Sequence, residues 1–394
     1  MRNRAIWFVA AALGAAGIGA GGCKSDNGTP VQDSGAVVAD SGVTGDGGGK
    51  VDTAAAPTSL TVVTYNTGLA HGAVAAAPAR QPQIVAALKE VKADLICLQE
   101  VWKDDDAQAL TDGLKTQYPF SFREKTEDTS TAQVRCGDLG AVLALKTCVD
   151  TDCTPKGISA SQCVESTCKT PYDKLDDGCK RCLAANTDNP TSCAIGGAKE
   201  FTYGGRNGLL LLSRTALKDA KYTPLDAILI KRGVITATVA ERTIQCTHLS
   251  ADLGVVPYPK DRPYKTWLEE LAGEIQTLSK TAGMGCTILL GDLNCGPAKN
   301  GLTGEGEDTF NALDTAGYHN LWRTPVCTWC KDNPLGGGAD KLIDHVLFKT
   351  CPAGDAVTYT RILDQEITVQ ESGQPLKTRL SDHYGVKAEI KLAK

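Results

Sequence analysis

Asp292 and Asn294 close the run Thr287-Ile288-Leu289-Leu290-Gly291-Asp292-Leu293-Asn294, which Gly296-Pro297 then interrupts. Three aliphatic residues in succession read as a strand buried on both faces, and the Gly-Pro pair stops it. On extended backbone, residues two apart point to the same side. The carboxylate and the carboxamide therefore stand together while Leu293 turns into the core. Oxygen donors side by side form a hard site suited to Mg²⁺, or to a phosphate approached through Mg²⁺. Taken alone, the pair suits a plain strand end with turn-forming residues equally well.

The same event recurs along the chain. Asn66, Glu100, Asn207, His248, Asp292 with Asn294, and Asp382 with His383 each stand at the limit of an apolar strand-like run. In a layered α/β protein, strand ends at one rim lie close together whatever their separation in sequence. Two of the five histidines belong to the set. The recurrence points to one polar site able to hold a metal ion and move protons.

The elements that must position these residues follow from the apolar pattern. Leu60 to Asn66 and Asp94 to Leu98 read as strands, separated by a helix over Gln81 to Val91 with Ile84, Leu88 and Val91 on one face. A second helix, Ala107 to Gln117, precedes a strand at Tyr118 to Phe122. This β-α-β-α-β order is that of an α/β class with helices covering the sheet. Strands are expected again at 207–214, 228–239, 243–247, 342–348 and 386–392, and helices at 261–280 and 310–316.

Between 125 and 200 the pattern breaks, and Cys, Thr, Asp, Lys and Gly alternate without strand character. Eight cysteines fall between Cys136 and Cys193, which predicts a disulfide-stapled, mainly helical insertion of unknown partner. Zinc held by Cys179 and Cys182 with Cys327 and Cys330 is the alternative. Cys327 and Cys330 otherwise read as a disulfide-tied loop. With Cys23 set aside, fifteen of the sixteen cysteines remain, so at least one thiol is left over. Cys97, within a strand, is the expected free one.

The N-terminus speaks for export. Arg2 and Arg4 precede an apolar run, Ala5 to Ala20, that is short for a membrane span, and Ala20-Gly21-Gly22-Cys23 follows. The stretch resembles a bacterial lipoprotein signal over residues 1–23, with Cys23 as the lipidated anchor at the outer membrane or cell surface. A plain signal for a periplasmic or secreted protein is the alternative. Residues 24–57 are Gly-, Ala-, Asp-, Ser- and Thr-rich, a composition suited to a flexible tether. A net charge of -5 gives no general attraction to nucleic acid, which argues against long duplex DNA as substrate.

The series Thr64-Tyr65-Asn66, Leu98-Gln99-Glu100, Asn207-Gly208-Leu209, Thr247-His248-Leu249, Gly291-Asp292-Leu293-Asn294, Ile343-Asp344-His345 and Ser381-Asp382-His383 resembles the endonuclease/exonuclease/phosphatase superfamily over residues 58–394. The resemblance implies a four-layer sandwich, two packed β-sheets flanked by helices, and Mg²⁺-dependent hydrolysis of a phosphoester, with Mn²⁺ as the alternative ion. It implies Glu100 as the principal metal ligand, with Asp382, Asn66, Asp292 and Asn294 completing the metal site. Asp292 would orient or deprotonate the attacking water, and Asn207 would touch a phosphate oxygen. His383 would contact the phosphate, its tautomer fixed by Asp344. His248 would act as acid toward the leaving oxygen or stabilise the transition state, with Glu124 as its acidic partner. His345 is expected to be packed beside the site, His71 to lie in a surface loop and His319 to be structural. The loop Thr328 to Leu335 is similar to a stretch of sphingomyelinases, which favours a phospholipid or small phosphodiester, although no apolar hairpin for membrane entry is evident. A nuclease, an inositol-phosphate-type phosphatase and a non-catalytic surface binding module are the alternatives.

Overall fold

The computed structural model describes residues 58–392, apart from 72, 129–132, 154–159, 188, 255, 353–355 and 372. The signal over 1–23, Cys23 and the tether over 24–57 lie outside the described residues.

Two sheets form the body. The first contains six strands in the order β10-β13-β1-β2-β4-β3: β1 is Ser59–Asn66, β2 Leu95–Gln99, β3 Phe120–Phe122, β4 Leu210–Ser213, β10 Ala356–Ile362 and β13 Gly385–Lys391. The second has five, in sequence order: β5 Lys218–Leu225, β6 Arg232–Val239, β7 Arg242–His248, β8 Thr287–Asp292 and β9 Asp344–Lys349. Each sheet is antiparallel except for one central pair, β1 with β2 and β7 with β8.

Alternation along the strands builds the layers. Val62, Leu95, Leu211 and Val386 of the first sheet meet Ile235, Ile244, Ile288 and Val346 of the second in one buried core. The residues between them face outward. Val63, Ile96 and Leu98 pack under helix α1 (Ala77–Glu90) and helix α2 (Asp104–Leu114). Val234, Leu289 and Leu347 of the second sheet pack under two further helices, over Trp267–Lys280 and Glu307–Thr315. The result is the expected four-layer sandwich.

Among its described residues the insertion forms five short α-helices: α3 Leu139–Cys148, α4 Ala160–Glu165, α5 Lys169–Asp173, α6 Asp177–Ala185 and α7 Ser192–Ile195. The Trp267–Lys280 and Glu307–Thr315 helices are then α8 and α9. Four disulfides close within the insertion, Cys136–Cys179, Cys148–Cys168, Cys153–Cys163 and Cys182–Cys193. Cys327–Cys330 also forms, so the zinc alternative is overturned: all four of its thiols are oxidised.

The free thiol is not Cys97. Its side chain faces the inter-sheet core and bonds Cys246 of β7 across a Cα separation of 5.5 Å. Among the described residues the free one is Cys295, fully buried just past β8.

Several boundaries shift. Helix α8 starts at Trp267, not at 261, because Thr266 is extended and caps Glu269 N–H. Strand β6 starts at Arg232; Ile228 is buried but gives its N–H to the Glu270 side chain instead of a ladder. Strands β5 and β10 and the hairpin of β11 (Glu366–Glu371) with β12 (Gln374–Arg379) were not anticipated. Their faces are largely polar and half-exposed, so they lack the apolar runs that mark the central strands.

Candidate active site

Ladder register brings the polar residues to one rim. Parallel pairing sets Asn66 beside Gln99, so Glu100 follows at the edge of the first sheet. In the second sheet His248 pairs with Asp292, and Asp292 pairs with Asp344, which places three functional side chains in a row across β7, β8 and β9. Asp382 and His383 enter just before β13, from the first sheet.

Asn66 joins the two halves. Its Nδ2 donates to Glu100 Oε1 at 3.2 Å and to Asp292 Oδ2 at 2.9 Å, and its Oδ1 accepts from Gly68 N–H. The amide nitrogen, and not the oxygen, therefore faces the carboxylates. His383 Nδ1 bonds Asp344 Oδ2 at 2.9 Å, leaving Nε2 3.7 Å from Asp292 Oδ2. His248 Nε2 lies 3.4 Å from the same Asp292 oxygen.

Loop geometry fixes these positions. Glu100 and Asn294 both adopt left-handed backbone, at φ 59° and 50°. Asn tolerates this conformation; Glu adopts it at a cost, which suggests a functional constraint. Asn294 gives its N–H to Asp292 Oδ1 and its Nδ2 to the Leu249 carbonyl, so strand β8 ends at Asp292 and turns. Leu293 is buried in the core beneath, as expected. Thr328 Oγ1 accepts from Asp344 N–H, and Asn333 Nδ2 donates to the Ser381 carbonyl, so the 328–335 loop anchors both sides of the site.

Glu100, Asp292, Asn294, Asp382 and His383 line a single cavity together with Val74, Asp252, Glu305, Trp329 and Lys341. Asn66, His248 and Asp344 stand behind this wall, fully buried. Asn207 is not brought to the cavity. Its amide is taken up by the Glu124 carbonyl, Thr126 Oγ1 and Leu209 N–H. Glu124 does not bond His248, whose ring nitrogens have no hydrogen-bond partner; the acid next to that ring is Asp292. His345 is packed, bonding the Cys295 carbonyl at 2.9 Å and lying 4.8 Å from the Phe310 ring. His71 is mostly buried and pairs with Asp106, while His319 pairs with Asp314 at the surface.

Burial and crowded charge set the protonation states. Burial, with Asp382 nearby, pushes Glu100 up to about 8. Burial and Asp344 push Asp292 up to about 6, against the pull of His383. Burial opposes a charge on His383, but Asp344 and Asp292 hold it well above the ordinary imidazole value, so it is cationic at neutral pH. Burial, Arg232 and His383 hold His248 well below that value, so it is neutral. Two imidazoles a few ångströms from one carboxylate are thus driven to opposite states, the separation expected of an acid-base pair.

A divalent cation fits this cavity. Glu100 Oε2 is buried without a hydrogen-bond partner, and burial with the Asp382 charge raises its carboxyl despite the opposing pull of His383. Oxygen donors of this kind and number suit Mg²⁺. Asp292, Asp344 and His383 also bring ligand atoms within 4.8 Å of one another, but the His383–Asp344 hydrogen bond already accounts for that approach.

The endonuclease/exonuclease/phosphatase family model matches residues 63–383, from β1 to the site histidine. The chain belongs to this family. Its members are phosphoric ester hydrolases. Sphingomyelinase C from Streptomyces griseocarneus is similar in structure, with 16% identity, a TM-score of 0.50, and coverage of 84% of this chain and 99% of that one. A mutant beta toxin from Staphylococcus aureus with bound magnesium ions gives 12% identity and a TM-score of 0.51, over 84% and 99%. At these identities the likeness is one of fold. None of the curated proteins matches the chain by sequence.

Sequence reasoning missed an aromatic and cationic surround. Trp102 stacks on Tyr203 at 4.4 Å and lies 6.3 Å from the His248 ring; Trp329 meets His383 edge-on at 4.9 Å. Arg232 is buried beside Trp102, its Nε and Nη1 without partners. Trp102 follows Glu100 by two positions and Arg232 precedes the residue paired with His248, so adjacency to the motifs was the available signal.

Proposed function

We propose that the protein is an exported, Mg²⁺-dependent phosphodiesterase acting on a phospholipid or a small phosphodiester, tethered to the membrane through Cys23. The observation that carries the reading is the meeting of two half-sites: Glu100 and Asp382 from one sheet, His248, Asp292 and Asp344 from the other. Bound at Glu100 and Asp382, Mg²⁺ would polarise a phosphoryl oxygen and offset developing charge. Asp292, held by Asn66 and with its carboxyl near 6, accepts a proton from water as the water oxygen bonds phosphorus. The bond to the departing oxygen breaks on the opposite face. His383, cationic and oriented by Asp344, faces the phosphoryl oxygens. The departing oxygen takes its proton from His383, the imidazolium lining the cavity, while the neutral His248 ring stands behind Asp292, 3.4 Å from its Oδ2.

The lean away from nucleic acid has a physical basis. Asp252 and the Lys341–Glu305 ion pair stand at the cavity beside Glu100, Asp292 and Asp382, a lining with more acids than bases, which disfavours a polyanion. The 328–335 loop, similar to a sphingomyelinase stretch, sets Trp329 against His383. The magnesium in the related beta toxin structure accords with the choice of ion.

The test is a parallel assay on sphingomyelin vesicles, plasmid DNA, inositol phosphates and a bis-aryl phosphate, each with Mg²⁺ and with chelator. Glu100→Ala and His248→Ala accompany the wild type. Mg²⁺-dependent cleavage of the lipid or the small diester, lost in both variants, is expected. Equal activity in chelator rejects the mechanism, and cleavage of DNA alone makes the protein a nuclease. Labelling with a fatty acid, abolished by Cys23→Ala, tests the anchor.

A further inference from the structure

Arg80, in the first turn of α1, is completely buried and forms no ion pair among the described residues. Its guanidinium instead binds backbone carbonyls. Nε donates to Ala75 O at 2.9 Å, Nη1 to Leu380 O at 2.5 Å and Thr67 O at 3.4 Å, and Nη2 to Gly68 O at 2.6 Å. Thr67 and Gly68 directly follow Asn66, and Leu380 lies two residues before Asp382. One side chain thus clamps two segments far apart in sequence, one carrying Asn66, which bonds Glu100, and the other carrying Asp382.

Only a planar fork with five donors can serve carbonyls in several directions at once; an ammonium or an amide cannot reproduce that spread. The clamped segments also touch. A Cβ on Gly68 would stand 2.4 Å from Asp382 Oδ1 and 2.8 Å from Ser381 Oγ, so the Gly68 backbone lies against these side chains at an approach that only glycine permits. Burying a guanidinium among neutral carbonyls is costly unless its charge does something. Here it lies behind Glu100 and Asp382, whose charges it senses.

We infer that Arg80 is a positioning residue that sets Asn66 in register with Asp382 and thereby shapes the cation site. This rests on the proposed Mg²⁺ dependence. Arg80 touches neither substrate nor metal, so its removal loosens the ligand set without removing a ligand. Side chains that support metal ligands in this way are worth roughly 10–100-fold in metal affinity or activity.

The experiment is calorimetric titration of metal-free protein with Mg²⁺, for wild type, Arg80→Lys, Arg80→Met and Leu88→Ala. Leu88 is fully buried on the same helix and packs away from the site, so it controls for lost stability alone. Each variant is held well below its own melting transition. The expected result is Mg²⁺ affinity weakened about tenfold or more in Arg80→Met, less in Arg80→Lys, and unchanged in Leu88→Ala. In the hydrolysis assay, saturating Mg²⁺ restores much of the turnover of Arg80→Lys. Wild-type Mg²⁺ affinity in both Arg80 variants overturns the inference. So does loss of the folded state in both, or an equal weakening in Leu88→Ala. Wild type that binds no Mg²⁺ overturns the proposed function itself.

Discussion

Cys97 is bonded to Cys246 across the inter-sheet core, a few residues before Glu100 on one strand and His248 on the other. The bond therefore ties the strand of the proposed metal ligand to the strand of the imidazole. Glu100 and Asp382 share one sheet and do not depend on it, whereas His248 reaches them only across the gap.

Replacing both cysteines with alanine is expected to cost about 2–5 kcal/mol of stability, the usual range for a native disulfide. Turnover should fall more than Mg²⁺ affinity, because the metal ligands stay on their own sheet. Urea denaturation and Mg²⁺-dependent kinetics check both. Equal losses in the two would mean that the bond holds the whole site and not its halves.

Asp344→Asn keeps the shape of the His383 contact and removes its charge. His383 owes its raised basicity to Asp344 and Asp292, so the variant should titrate at lower pH. Activity that needs the imidazolium is present below that value and lost above it. The alkaline limb of the kcat/KM profile should thus move to lower pH, with turnover at its maximum down by roughly 10²–10⁴-fold. A profile that drops in height without moving would assign Asp344 another role.

Glu100 keeps its proton in the metal-free fold up to about 8, while the unfolded chain releases it near the ordinary carboxylate value. The folded state then binds more protons, and metal-free stability declines as pH rises between those two values. Glu100→Gln should flatten that decline and stabilise the metal-free protein at its upper end. Part of the slope remains, because burial and Glu270 also push Glu274 up to about 8. Denaturation in chelator across this range measures it. Adding Mg²⁺ at a hundred times its dissociation constant should restore about 2.7 kcal/mol to wild type and little to the variant.

Gly68→Ala places a methyl group against Asp382 Oδ1 on left-handed backbone at φ 54°. The strained backbone alone costs about 1–2 kcal/mol. Displacement of Asp382 should add weaker Mg²⁺ binding, seen as a smaller thermal shift per unit of Mg²⁺. A variant that is merely less stable, with the full Mg²⁺ response, would show that Asp382 can give way.

The buried strands and their polar ends could be read directly, because Ile288-Leu289-Leu290 and its counterparts are apolar on both faces and end abruptly. Asn66, Glu100, Asp292, Asp382 and His383 stand out that way, and the structure brings them together. Asn207 fits the same pattern, yet its amide is absorbed by the 124–126 segment, a contact that no local spacing encodes. Cys97 looked like a packed thiol because its partner lies 149 residues away on the other sheet. Nothing in the local sequence marks Arg80 or Arg232; only the tertiary arrangement buries them.

The Cys-rich block is a graft with its own skeleton. Its four disulfides all close internally, and where it leaves and rejoins the host, Asp128 Oδ2 accepts from Glu200 and Phe201 N–H while Asp128 N–H reaches Gly204 O. Two chain ends stitched at one point make a natural excision site. A short turn from Asp128 to Glu200 would leave the sandwich its three disulfides but uncover Trp102 and Ile228, against which Ala184 and Ala185 pack, so the graft doubles as a cover for the host core beside the site.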